Sequence, residues 1–410
     1  MGHKKRIQLI SQLENELDAP LICYITGDRE NLSTRIAPDI IRVFYRHLEV
    51  TGKREKINLL LYTRGGDVLT PWRLVNLIRE YCRYFSVLIP FRAYSAGTLI
   101  CLGADEIMMG KMGELSPIDP SVANAFNPED PHHQTAKIPV SVEDVTSFLA
   151  LAHDLAGLKQ EEQLGQVFLR LANTVHPLAL GNVHRNYSLI RSLAKKMLEL
   201  HLEESCPEHI EKIIRSLTTE LHAHNYLIPR FEAKNKLNLK IIEPSPEVEK
   251  LMWVLYENYE SDLQLLTPFN PVLLLQEQEQ QIDFEATGGI IESLHKLDTF
   301  NFEGRITRQA RPNPEVPPVN VEIINQGWNN NKTQNHSIPW PLGLECQTMK
   351  KKKARTSPLS KEITKYRLVN SSSSYIPSIY TLTTISTNRK NLIIAAEQQN
   401  ETSGDWPLFK

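Results

Sequence analysis

Two short turns carry residue types that could do chemistry. Thr63-Arg64-Gly65-Gly66-Asp67 closes a continuous apolar run, and Ser95-Ala96-Gly97 opens a stretch with the Ala/Leu/Gly composition of a buried helix. A Gly-Gly pair can present a backbone N–H to a ligand because no Cβ obstructs the approach. A serine just before a helix has two readings. Its oxygen either accepts a backbone N–H as an ordinary N-cap, or its hydroxyl stands exposed at the helix's positive end. In that second setting the alkoxide is favoured and the neighbouring amides point at an incoming oxyanion. The chemistry would be nucleophilic attack on a carbonyl. No phosphate-loop pattern and no dinucleotide-binding glycine pattern occurs at these turns, which argues against a nucleotide cradle.

The flanking elements must bring the turns together. Residues 20–26 and 57–62 read as strands, the second an uninterrupted INLLLY of the kind buried on both faces. Residues 37–49 place Ile40, Ile41, Phe44, Tyr45 and Leu48 at helical spacing, and residues 71–84 predict a second helix. A strand at 86–90, a helix at 96–104 and a strand at 106–109 complete a βαβαβα order. That order predicts a mainly parallel sheet covered by helices. In such sheets functional groups gather beyond the carboxyl ends of strands, so the two turns should be neighbours. Helices are predicted over 142–158, 161–175, 180–202, 208–222, 230–235 and 247–260, with a strand at 239–242.

The division expected from composition is a main domain over 1–262, a small β-containing extension over 263–328 and a disordered tail over 329–410. The tail is rich in Asn, Ser, Thr and Lys and lacks the apolar density of a core.

A chain of 410 residues can bury a core without staples, and a net charge of −2 gives no general pull toward nucleic acid or acidic lipid. Five scattered cysteines, Cys23, Cys82, Cys101, Cys206 and Cys346, outline neither a disulfide framework nor a zinc site. A cytoplasmic setting fits. The first seventeen residues read as an amphipathic helix and not as a secretion signal. No stretch approaches the ~20 apolar residues of a membrane span, so direct membrane insertion is not expected.

The ordered set YTRGGDV, AYSAGTLI, GADEIMMG, GELSPIDPS and HNYLIPRFEAK resembles the serine dehydrogenase proteinase family, relatives of signal peptide peptidase A in the Clp protease/crotonase superfamily, over about residues 6–260. The resemblance implies an α/β, Clp/crotonase-like ββα superhelix and homo-oligomerisation through helices. It also implies a nucleophile at Ser95 and an oxyanion hole from the amides of Gly66 and Ala96. Clp proteases place a histidine base after the nucleophile, where this chain has Asp119, leaving that residue an orienting or structural role. Signal-peptide-peptidase relatives use a lysine farther along, and Lys137 follows Ser95 by 42 residues. A lysine acts as a base only if burial lowers its pKa from ~10.4 toward neutrality, and Ile138, Pro139 and Val140 could supply a dry setting. Lys111 is the second candidate.

The expectation is a serine peptidase with a Ser-Lys dyad, acting on peptide or protein substrates without a cofactor or metal. Two alternatives stay open: a catalytically silent oligomeric scaffold, and acyl-CoA thioester chemistry in the same oxyanion hole.

Overall fold

The computed structural model describes residues 2–118, 121–122, 126–128, 138, 140–202, 207–221, 226–275, 279–309 and 319–331. The chain divides into two compact units, 1–338 and 339–410, and every described residue lies in the first. The tail expected to be disordered falls outside the described residues, apart from its first three positions, which end a strand.

Helix α1 (Gly2–Leu17) leads into β1 (Leu21–Thr26), α2 (Ile40–Thr51), β2 (Arg54–Tyr62), α3 (Thr70–Arg79) and β3 (Cys82–Ile89). A two-residue β4 (Arg92–Ala93) then delivers the chain to α4 (Ala96–Leu102), β5 (Glu106–Met109) and β6 (Glu114–Leu115). Short β7 (Ser121–Val122) and β8 (Val140–Ser141) precede a helical region of α5 (Val142–Ala150), α6 (Glu161–Thr174), α7 (Pro177–Glu199) and α8 (Pro207–Arg215). Single π-helical turns extend α5 over Leu151–Leu155 and α8 over Ser216–Glu220. The chain continues through β9 (Ile228–Pro229), α9 (Arg230–Asn235), β10 (Ile241–Ile242), α10 (Pro246–Asp262) and α11 (Pro271–Leu274). Three long strands follow: β11 (Gln281–Ser293), β12 (Lys296–Arg308) and β13 (Val319–Asn331).

Eight of these strands form one sheet in the order β10-β5-β3-β2-β1-β11-β12-β13. The first five are parallel to one another, and the last three join antiparallel through the pairing of β1 with β11. The mainly parallel α/β architecture expected from the βαβαβα order is therefore present. Strand periodicity explains why β1 to β3 are nearly all apolar: successive side chains face opposite layers. Ile22, Tyr24, Leu59, Leu61, Val87 and Ile89 pack into a core covered by α2, α3, α4, α7 and α8. Leu21, Cys23, Ile25, Leu60, Tyr62 and Leu88 pack into a second core under α1 and α10.

Two predicted boundaries shift. The helix expected over 71–84 stops at Arg79, because Cys82 to Ser86 pair with Arg54 to Asn58 and lengthen β3 backwards. The region expected to be a small β-containing extension holds thirteen-residue strands, whose cross-strand pairing is a long-range property. No helix among the described residues is long and apolar enough to cross a membrane.

Candidate active site

The two turns predicted to be neighbours are in contact. Strand β2 ends at Tyr62, and the backbone of Thr63 bridges to β4: Thr63 N–H donates to Arg92 O (2.9 Å) and Tyr94 N–H to Thr63 O (3.0 Å). This places Gly65 against Ser95. A Cβ on Gly65 would stand 2.8 Å from Ser95 Cβ, 2.9 Å from Tyr94 O and 3.2 Å from Ala96 N. Its φ of +98° also lies where side-chain-bearing residues are strained. Gly66 (φ +155°) is pressed as closely from the other side, since a Cβ there would meet Ile36 O at 2.1 Å.

Ile36 straddles Gly66. Its N–H donates to Gly65 O (2.9 Å), and its carbonyl accepts the Asp67 N–H (2.8 Å). The Gly66 N–H is left with no acceptor among the described residues. Asp67 closes the turn into α3, its Oδ2 accepting from Thr70 N–H (2.7 Å) and from Thr70 Oγ1 (2.6 Å).

Ser95 sits at φ 52°, ψ −111°, outside the regions that non-glycine residues ordinarily occupy. Strain of this kind costs on the order of 1–3 kcal/mol and persists only when neighbours enforce it. Here Ser95 N–H donates to Ser116 Oγ (2.8 Å), Gly97 N–H to Tyr94 O (2.8 Å) and Leu99 N–H to Ser95 O (3.1 Å). Ser116 is itself fixed by donating from Oγ to Pro117 O (2.9 Å), and Thr98 Oγ1 accepts the Ser116 N–H (3.2 Å). The N-cap reading of Ser95 does not hold: its side chain makes no capping hydrogen bond. The residue is partly exposed, while α4 behind it is buried throughout. The Ala96 N–H, first in the helix and so without an intrahelical acceptor, has no partner among the described residues.

Of the other residues singled out from the sequence, Asp119 and Lys137 lie outside the described residues. The chain around them is partly placed. Ile118 N–H donates to Leu217 O (3.0 Å), and Ser121 and Val122 pair with Ser141 and Val140. Ile138, directly after Lys137, donates its N–H to Pro128 O (2.8 Å), and its carbonyl accepts from Asn127 Nδ2 (2.9 Å). Lys111 is not in a dry setting: its side chain is 78% exposed, with Nζ 3.3 Å from Glu249 Oε2.

Sequence reasoning missed the hydroxyls of Thr63, Thr98 and Ser116. Thr63 and Thr98 adjoin the turns, but Thr26 and Ser116, to which they bond, are distant in sequence, and nothing in the local pattern signals those pairings. A buried serine, histidine and aspartate set also went unnoticed. His47 lies with Nδ1 2.9 Å from Ser293 Oγ and Nε2 3.1 Å from Asp298 Oδ2. All three are buried, at 3%, 0% and 0% exposure for serine, histidine and aspartate. With no access for a substrate, this set fastens α2 to the β11–β12 hairpin. Burial lowers the His47 pKa more than Asp298 raises it, which keeps the imidazole neutral.

The described residues form a mixed α/β fold with a large, mainly parallel sheet, the architecture of the ClpP-like class. Within that class, residues 37–172 match the family of ClpP-like SDH-type serine proteinases, a stretch that holds four of the five motifs but not HNYLIPRFEAK. The chain is 29% identical over 126 residues to one uncharacterised protein of Methanocaldococcus jannaschii, covering 29% of this chain and 42% of that protein. It is 34% identical over 77 residues to a second from the same organism, covering 19% and 27%. The matches thus span less than half the length of either curated relative. Among solved structures, a membrane-bound stomatin-specific protease in complex with a substrate peptide aligns with 52% of this chain and 73% of its own, at 16% identity and a TM-score of 0.31.

Proposed function

We propose that the protein is a serine peptidase that hydrolyses peptide bonds through an acyl-enzyme on Ser95, with Lys137 as general base. The observation that carries this reading is the partly exposed, uncapped Ser95 hydroxyl on a strained elbow beside two unclaimed amides. The uncharged Lys137 amine takes the Ser95 proton as Oγ adds to the peptide carbonyl. The Gly66 and Ala96 N–H groups hold the resulting oxyanion. Collapse breaks the C–N bond, and the leaving amine takes the proton from Lys137. Water, deprotonated by the same lysine, then cleaves the ester and restores Ser95. Asp119 is assigned an orienting or structural role. The chemistry asks for no cofactor or metal.

What supports Lys137 is its place in the sequence. Lys137 follows Ser95 by 42 residues and directly precedes Ile138, whose backbone is tied to Pro128 and Asn127. An active-site fluorophosphonate should label the wild-type protein on Ser95, mapped by peptide mass. Lys137→Met should lower kcat/KM by roughly 10²–10⁴-fold at neutral pH, the range a general base supplies. It should also remove the rise in rate with pH that deprotonation of the amine produces. Lys137→Arg should be equally impaired, since a guanidinium keeps its proton. Activity retained in both would rule Lys137 out as the base.

The proposed enzyme acts as a homo-oligomer. Helix α6 is amphipathic yet has no buried residue, and it exposes Phe168 and Leu169, at 50% and 62%, with Leu178 beyond it at 57%. Such a face is what assembly covers. Sedimentation should show an oligomer that Phe168→Glu with Leu169→Glu reduces to smaller species. A wild-type monomer would refute the assembly.

A further inference from the structure

The two turns share a device that the peptidase reading does not require and that fixes which amides face the substrate. At each turn two consecutive backbone N–H groups are candidates for binding an anion. In each pair the first is taken by a buried hydroxyl: Gly65 N–H donates to Thr63 Oγ1 (3.0 Å), and Ser95 N–H donates to Ser116 Oγ (2.8 Å). In each pair the second, Gly66 or Ala96, has no acceptor among the described residues. The hydroxyls are themselves held. Thr63 is 0% exposed and accepts from Thr26 Oγ1 (2.8 Å), while Ser116 is 3% exposed and donates to Pro117 O (2.9 Å).

The carbonyl sides of the same peptides complete the lock. In a trans peptide the C=O and the following N–H point in opposite directions. Gly65 O is drawn toward Ile36 N–H and Ser95 O toward Leu99 N–H, so the Gly66 and Ala96 N–H groups are turned away from those partners. Removing either hydroxyl would leave an amide donor without its acceptor, which is unfavourable. The turn could escape that cost by rotating the peptide plane before Gly65 or Ser95. That rotation changes φ at Gly65 or Ser95 and swings the next amide out of position. We infer that Thr63 and Ser116 are positioning residues that, by occupying the Gly65 and Ser95 amides, select Gly66 and Ala96 as the pair that receives the oxyanion.

This inference rests on the serine peptidase reading for its consequence in rate, but not for its geometry, and the experiment separates the two. In the wild-type protein, amide hydrogen exchange should find Gly65 and Ser95 protected and the half-buried Gly66 faster than both. The reverse pattern would overturn the inference whatever the activity, and this measurement decides if a variant does not fold. Thr63→Val and Ser116→Ala should each lower kcat and the rate of fluorophosphonate labelling by roughly 10- to 100-fold, a fraction of what a whole oxyanion donor supplies, with KM within about twofold. Thr63→Ser, which keeps the acceptor, should recover most of the rate. Folded Thr63→Val and Ser116→Ala proteins that label at the wild-type rate, or a loss that Thr63→Ser does not restore, would refute it. Failure of the wild-type protein to label at Ser95 would instead remove the peptidase reading and leave the amide assignment to the exchange pattern.

Discussion

Replacing Ser95 by alanine is expected to lower kcat for peptide hydrolysis by roughly five to six orders of magnitude, the cost of removing the nucleophile from a serine hydrolase. What remains should be the weak acceleration that an oxyanion hole and binding give without a nucleophile. Labelling by the fluorophosphonate should vanish altogether. The substitution keeps the elbow's φ of 52°, because alanine carries the same Cβ, so thermal stability and assembly should stay close to wild type. Ser95→Gly should be equally inactive but more stable, by about 1 kcal/mol, since glycine relieves backbone strain that serine bears. The two variants together distinguish a strained functional residue from a merely buried one. Turnover that survives in Ser95→Ala would end the peptidase assignment, and a Ser95→Gly protein no more stable than Ser95→Ala would show that the elbow stores no strain.

Much of this site was legible before any coordinates, for a definite physical reason. The continuous apolar run from Ile57 to Tyr62 has to be a strand covered on both faces, and a parallel sheet sends such strands toward the same edge. The proximity of Gly65-Gly66 to Ser95 follows from that topology alone. What local pattern could not supply was the choice between a capping serine and a free one, which depends on φ and ψ at a single residue. Nor could it supply the partners of the amides. Ser116 reaches Ser95 from twenty-one positions away, and Ile36 reaches Gly65 from twenty-nine. The long strands β11 to β13 were underread for a related reason. Their polar, glycine-bearing stretches, such as Glu285 to Gly289, become strand through pairing with Asn301 to Glu303 and Phe300 and not through intrinsic preference. The N-terminal helix was recognised as amphipathic, yet nothing in it announced that Arg6 would be 2% exposed.

That arginine carries the largest stability effect expected outside the site. Glu292 on β11, wholly buried, accepts from Arg6 Nε (2.5 Å) and Tyr259 Oη (2.8 Å) on Oε2, with His3 Nδ1 2.6 Å from Oε1. Arg6 also pairs with Asp262 and lies 4.9 Å over the Tyr259 ring. Burial penalises the guanidinium charge, but Glu292 and its neighbours offset this, so the Arg6 pKa is raised. The two ion pairs of Arg6 therefore tie α1 and α10 to the strand that joins the antiparallel half of the sheet to β1. Glu292→Gln preserves the shape but leaves a buried cation short of its principal counter-charge, so it should destabilise the fold by about 3–5 kcal/mol. For a unit of this size that is a drop in Tm of roughly 6–20 °C. Replacing both partners, Arg6→Met with Glu292→Leu, removes the charge along with its need for a partner and should cost far less than the sum of the single substitutions. Thermal unfolding of the two single variants and the double variant measures this coupling. Additive losses would mean that the pair contributes nothing as a pair, and that α1 is held to the sheet by Leu9, Ile10 and Leu13 alone.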